Sequence, residues 1–88
     1  MNITKVKDNY TIKETDPFIV CDSSTALAVT LKSAVGKGDI FYIKNIGSAD
    51  VTVTASLPDL VDGAATKVLA QYEACLLLDL SVNVWMVI

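Results

Sequence analysis

Residues 36 to 54 constrain the fold more than any other part of the chain. Gly36 and Gly38 open the stretch and supply the positive-φ freedom of a turn. Ile40 to Ile46 is rich in β-branched and aromatic residues, and Gly47, Ser48, Ala49 and Asp50 are short, polar turn chemistry. Val51 and Val53 then alternate with Thr52 and Thr54, the period of two that marks a strand with one apolar face. The spacing predicts turn, long strand, tight turn and strand, the pattern of a hairpin. None of these residues brings chemistry of its own.

The rest of the chain repeats the theme. Tyr10 and Ile12 sit in a short alternating segment, and Asp16-Pro17 is a turn signal. Phe18 to Cys21 reads as a strand stopped by Asp22, Ser23, Ser24 and Thr25. Leu27, Val29 and Leu31 form a half-buried strand, and Ser33 to Gly38 is a loop. Asp62-Gly63 predicts another turn, Thr66 to Leu69 a short strand, and Val84 to Ile88 a closing strand. A helix over Ala64 to Leu78 has decent formers but no capping box, and short strands fit it better. The expected fold is all-β, a small antiparallel β-sandwich or barrel-like domain. Residues 10–88 form the single domain, and residues 1–9 an N-terminal arm or short strand able to dock on a neighbour through Ile3 and Val6.

Two segments are apolar on both parities. In Tyr72 to Leu80, Ala74, Leu76 and Leu78 oppose Cys75 and Leu77. In Ile40 to Ile46, Ile40 and Tyr42 oppose Phe41 and Ile43. Such a strand is covered on both faces, and an 88-residue chain has only one small core to offer. The composition agrees: 52% of residues are hydrophobic and 19% charged, where soluble domains average roughly 45–50% and ~25%. Self-association is the simplest outlet for the excess. The two halves also rhyme, with turns at Ser48–Val51 and Ser81–Val84, but the spacing drifts too much for a regular solenoid.

Absences narrow the chemistry. The chain has no His, and all seven cations are Lys. Ser-His-Asp and Cys-His devices and the usual zinc site are thereby excluded. Without Arg and at net charge −3, nucleic acid is not an expected partner. Gly36-Lys37-Gly38 lacks the spacing of a phosphate loop, and Asp59, Asp62 and Asp79 lack the order of a calcium loop. They read as turn residues. Glu73 has no partner carboxylate at a readable spacing, so no acid–base pair is expected. Cys21 and Cys75 read as buried thiols acting as small hydrophobes, although a bridge between them stays open. No apolar run reaches the ~18 residues of a membrane span, and Met1 to Lys7 lacks a signal-peptide core. No cofactor, metal or membrane is expected, and synthesis in the cytosol is. Trp85 reads as core or subunit contact; an exposed platform of Trp85 with tyrosines is the alternative and would suit a glycan.

The order of these pieces resembles the small β-rich module of bacteriophage virion structural proteins, of the tail-fibre, head-fibre and capsid-decoration types. The residues that carry it are Val29 to Ala34, Gly36 to Val53, Val61 to Thr66, Gln71 to Glu73, and Asp79 through Asn83 to Trp85 and Ile88, with Tyr10 to Asp22 as the usual opening. The resemblance spans about Tyr10 to Ile88. It departs where the module's closing Asp-Gly-Thr-Asn and aromatic pair become Asp79-Leu80-Ser81-Val82-Asn83-Val84-Trp85-Met86. The resemblance implies a non-enzymatic virion protein, made in the host cytoplasm, that trimerises through its β-faces and attaches to capsid or tail. The contact would draw on Ile40, Tyr42, Ile46, Tyr72, Leu76, Leu78 and Trp85. A receptor- or glycan-binding module of a tail fibre is the second reading, with a host surface glycan as its partner.

Overall fold

The computed structural model describes residues 3–15 and 17–88. Met1, Asn2 and Asp16, the last part of the expected Asp16-Pro17 turn, lie outside the described residues. Among the described residues ten strands run in order: β1 (Ile3–Val6), β2 (Tyr10–Thr11), β3 (Phe18–Cys21), β4 (Leu27–Thr30), β5 (Ile40–Asn45), β6 (Val51–Thr54), β7 (Leu60–Val61), β8 (Thr66–Leu69), β9 (Ala74–Ser81) and β10 (Val84–Val87). Among the described residues there is no helix, so the Ala64 to Leu78 region resolves into strands and a turn.

The strands form a six-stranded sheet, ordered β1-β3-β5-β9-β10-β7, and a four-stranded sheet, ordered β2-β4-β6-β8. The expected antiparallel architecture is corrected here, because the sheets are mixed. The pairs β1–β3, β3–β5, β2–β4, β4–β6 and β7–β10 are parallel; β5–β9, β9–β10 and β6–β8 are antiparallel. The cause is the path of the chain. From β1 to β9 successive strands alternate between the two sheets. From β1 to β6 each crossing to the other sheet and back returns the chain in its original direction, so these neighbours are parallel, whereas β8 comes back beside β6 reversed. The strand in the opposite sheet thus serves as the crossover that parallel pairing requires. From β3 to β6 the coil is regular, with Phe18 beside Tyr42 and Leu27 beside Val51, an offset of 24 residues in both sheets.

The turn at Gly47 to Asp50 is therefore an arch between sheets rather than a hairpin. Asn45 holds it: its amide nitrogen donates to Ala49 O and Leu69 O, each at 2.9 Å, and its Oδ1 accepts from Gly47 N at 3.0 Å. The preceding arch stacks beneath it, Ile46 N donating to Cys21 O and Ala49 N to Ser23 O. The stacking leaves no room for a Cβ on Gly47, which would overlap the Ser23 backbone. Ser81 to Val84 has similar turn chemistry yet makes a true hairpin, with Asn83 at φ +66° and β9 pairing β10. The expected positive-φ turns at Gly36 and Gly38 are present, at +83° and +77°.

Each sheet buries one face against the other. The larger contributes Ile19, Cys21, Phe41, Ile43, Cys75, Leu77 and Trp85; the smaller contributes Leu27, Val29, Val51, Val53 and Leu69. Phe41 and Trp85 meet edge to face with centroids 5.9 Å apart. Truncating Phe41 would open a cavity at the centre of this layer. Urea unfolding of Phe41→Ala is expected to show a loss of about 3–5 kcal/mol. Gly47→Ala is expected to lower the unfolding midpoint by displacing the stacked arch, with no apolar contact removed.

Candidate functional site

The feature with most reach on the molecule is the outer face of the six-stranded sheet. Strand register places side chains of alternate residues in rows across it. One row runs Ile3, Phe18, Tyr42 and Leu76, and Ile88 N extends it by donating to Leu76 O. A second runs Ile40, Leu78 and Met86. Val84 beside Leu60 continues the surface past the irregularity in the β9–β10 pairing. A further row, Lys5, Val20, Lys44 and Ala74, closes one end. Ile40 is 49% exposed, Leu76 38% and Ile3 61%, and Phe18, Tyr42, Leu78 and Met86 are half-buried. Phe18 and Tyr42 touch edge to face at 5.5 Å.

Four of the residues singled out from sequence (Ile40, Tyr42, Leu76 and Leu78) thus fall on one continuous surface. Three do not. Trp85 is fully buried between the sheets, so it belongs to the core and presents no ring to a sugar. Tyr72 precedes the strand instead of starting it, because β9 begins at Ala74 and Tyr72 occupies a turn at φ +67°. Ile46 lies one residue beyond β5, in the arch. Of the N-terminal pair, Val6 is buried in its own chain's core, and Ile3 joins the apolar rows; β1 is a strand of the domain itself. Phe18, Met86, Val84 and Leu60 were missed. Their alternation is visible in the sequence, but only the pairing of distant strands puts them beside Leu76 and Leu78.

Polar order concentrates at one place, around Asp79. Its side chain is fully buried on β9 and accepts from Val35 N at 2.9 Å and Gly36 N at 2.7 Å. Lys37 N and Lys32 Nζ stand at 3.4 Å, and Lys32 also lies 5.5 Å from the centroid of the Trp85 ring. Asp59, likewise buried, accepts from Ala34 N at 2.7 Å. Two aspartates expected to be turn residues are therefore interior anchors of the loop between β4 and β5. Burial opposes the charge on Asp79, but the Gly36, Val35 and Lys37 amides and the Lys32 ammonium outweigh it and hold its carboxyl below the ordinary value. Every donor is spent on holding the loop, which is a structural use of the group. Glu73, exposed, accepts from Ala70 N in the turn before β9.

Cys21 and Cys75 are free and buried. Strand β5 lies between them, Cys21 opposite Asn45 and Cys75 opposite Ile43. Two strand spacings, roughly 9–10 Å, exceed the ~7 Å that a disulfide tolerates. Burial pushes both thiols up to about 11. Among the described residues no group of three or more His, Cys, Asp or Glu is placed to hold a metal ion. A shallow concavity lined by Lys7, Asp8, Asn9, Thr25, Ala26 and Leu27 has no buried charge facing it. Comparison with protein-family models, curated proteins and solved structures finds no match.

Two outcomes follow from this geometry. A depressed folded-state value means that the unfolded chain binds the proton first as pH falls, so Asp79 contributes stability above the ordinary aspartate range near pH ~4 and loses it below. Stability curves are expected to fall steeply from pH ~4 downward, and Asp79→Asn to be weaker at pH 7 with a shallower acid limb. The thiols are expected to resist a disulfide reagent at pH 8 in the folded protein, and both to react once urea unfolds it.

Proposed function

We propose that this chain is a non-enzymatic structural subunit of a bacteriophage virion, a homotrimeric decoration- or fibre-type module attached to capsid or tail. The observation that supports the reading best is the apolar outer face of the larger sheet. A mixed sheet in a lone domain this small would ordinarily turn polar side chains outward there. Instead the two strands at its centre, β5 and β9, are apolar on both sides. Large contiguous apolar surface on a protein marks a site of association. The virion assignment and the three-fold state come from the resemblance in residue order, and they agree with a chain whose exposed surface suits contact better than catalysis.

The experiment is mass in solution followed by partner capture. Light scattering at micromolar concentration is expected to give three times the 9.4 kDa chain mass. The purified protein is expected to co-sediment with intact capsids or tails. A monomer that ignores both would overturn the proposal.

A further inference from the structure

We propose that the side chains of Lys32 and Asp79 join after folding in an intramolecular isopeptide bond, with Asp39 moving the proton. The bond ties the loop that follows β4 to the buried part of β9. It does not depend on how copies of the chain assemble.

Three reactive groups meet at one place. Lys32 Nζ lies 3.4 Å from Asp79 Oδ2 and 3.6 Å from Asp39 Oδ2. Backbone contacts hold each of them there. Trp85 Nε1 donates to Lys32 O at 3.2 Å. Asp79 N donates to Asp39 O at 2.9 Å and Gly38 N to Asp79 O at 3.0 Å, which sets the two aspartates side by side where β5 begins. The Lys32 side chain is 15% exposed and that of Asp79 fully buried, with the Lys32 ammonium 5.8 Å and 5.5 Å from the Phe41 and Trp85 ring centroids. Lys37 and Glu14, which also pair, stand mostly in water. A buried ion pair is costly to keep, and an amide in its place carries no charge. Amine and carboxyl held in contact also react as though at very high concentration.

The surroundings of Asp79 suit acyl transfer. Its Oδ1 accepts from Val35 N at 2.9 Å and Gly36 N at 2.7 Å. Two amides aimed at one oxygen stabilise the oxyanion of a tetrahedral intermediate. Oδ2 is turned to Lys32 and is the oxygen that leaves. The Lys32 ammonium first passes a proton to Oδ2, giving a neutral amine and a neutral carboxyl. Nζ then attacks Cγ, and the negative charge falls on Oδ1 between the two amides. Asp39 takes a proton from the nitrogen and returns it to the departing hydroxyl, which leaves as water. One C–N bond forms and one C–O bond breaks, nothing is oxidised or reduced, and Asp39 ends as it began. One positive and one negative charge vanish together, so the net charge stays at −3. The amides that keep Asp79 ionised oppose the first proton transfer, so the bond forms slowly, once the fold is complete. Until then Asp79 titrates as a free acid.

The test weighs the purified full chain by mass spectrometry, fresh and after several days at pH 8. It is expected to become lighter than its sequence mass by one water. A tryptic digest is then expected to hold one fragment joining residues 14–37 to residues 68–88, because an acylated Lys32 is not cleaved. Lys32→Arg and Asp79→Ala are expected to keep the full mass, and Asp39→Asn to close roughly 100-fold more slowly. A wild-type chain that keeps its full mass throughout would overturn the proposal and leave an ion pair only. So would a lost water traced to Asp62-Gly63, where an aspartate followed by glycine closes on itself as a succinimide. Asp39→Asn closing at the wild-type rate would overturn the proton route. The wild-type mass decides the bond even where a variant fails to fold.

Discussion

The structure depends on one apolar layer shared by two sheets. Neither sheet could exist without it, since each is apolar on its inner side and joined to the other by almost every connection. Phe41 and Ile43 from β5 face the same interior as Val51 and Val53 from β6, and the arch between them at Gly47 forces that meeting. Burial of these residues outweighs the pairing that a local hairpin would have given, because a hairpin would have left both apolar faces on the same side with nothing opposite. Parallel pairing is the by-product of that preference.

Around the layer, polar groups close the ends. Asn45 satisfies the Gly47 arch, Asp79 satisfies the amides of Val35 and Gly36, and Asp59 satisfies Ala34. Among the described residues no buried side-chain nitrogen or oxygen lacks a partner. These groups are expensive to bury and become stabilising only when fully bonded. Their donors come from loops, so they fix loop positions against the strands. The loop from Lys32 to Gly38 is thereby held beside β9, at the edge of the apolar outer face.

The all-β class and most strand positions were legible in the sequence. Val51 to Thr54 and Leu27 to Thr30 show a period of two, and that period is set by local backbone geometry. The two-sided apolar character of Ile40–Asn45 and Ala74–Ser81 was legible for the same reason, and with it four residues of the outer face. Tyr72 was misread as a strand residue because nothing local announces its positive φ. Asp79 was misread as a turn residue because its partners, Val35 and Gly36, lie more than forty positions away in sequence. Phe18 and Met86 were invisible as face residues for the corresponding reason.

By itself the sequence determined which residues are extended, which face of each strand is apolar, and that this small chain has more apolar surface than one core absorbs. Those properties depend on neighbours within a few positions. The tertiary structure alone decided which strands pair, in what direction, and which turns are arches. The Gly47 and Ser81 turns have similar chemistry yet opposite outcomes, since long-range burial selects between crossing and pairing. That selection placed Trp85 inside, turned Leu76 and Leu78 outward beside Ile40 and Tyr42, and so made a surface from residues the chain keeps far apart.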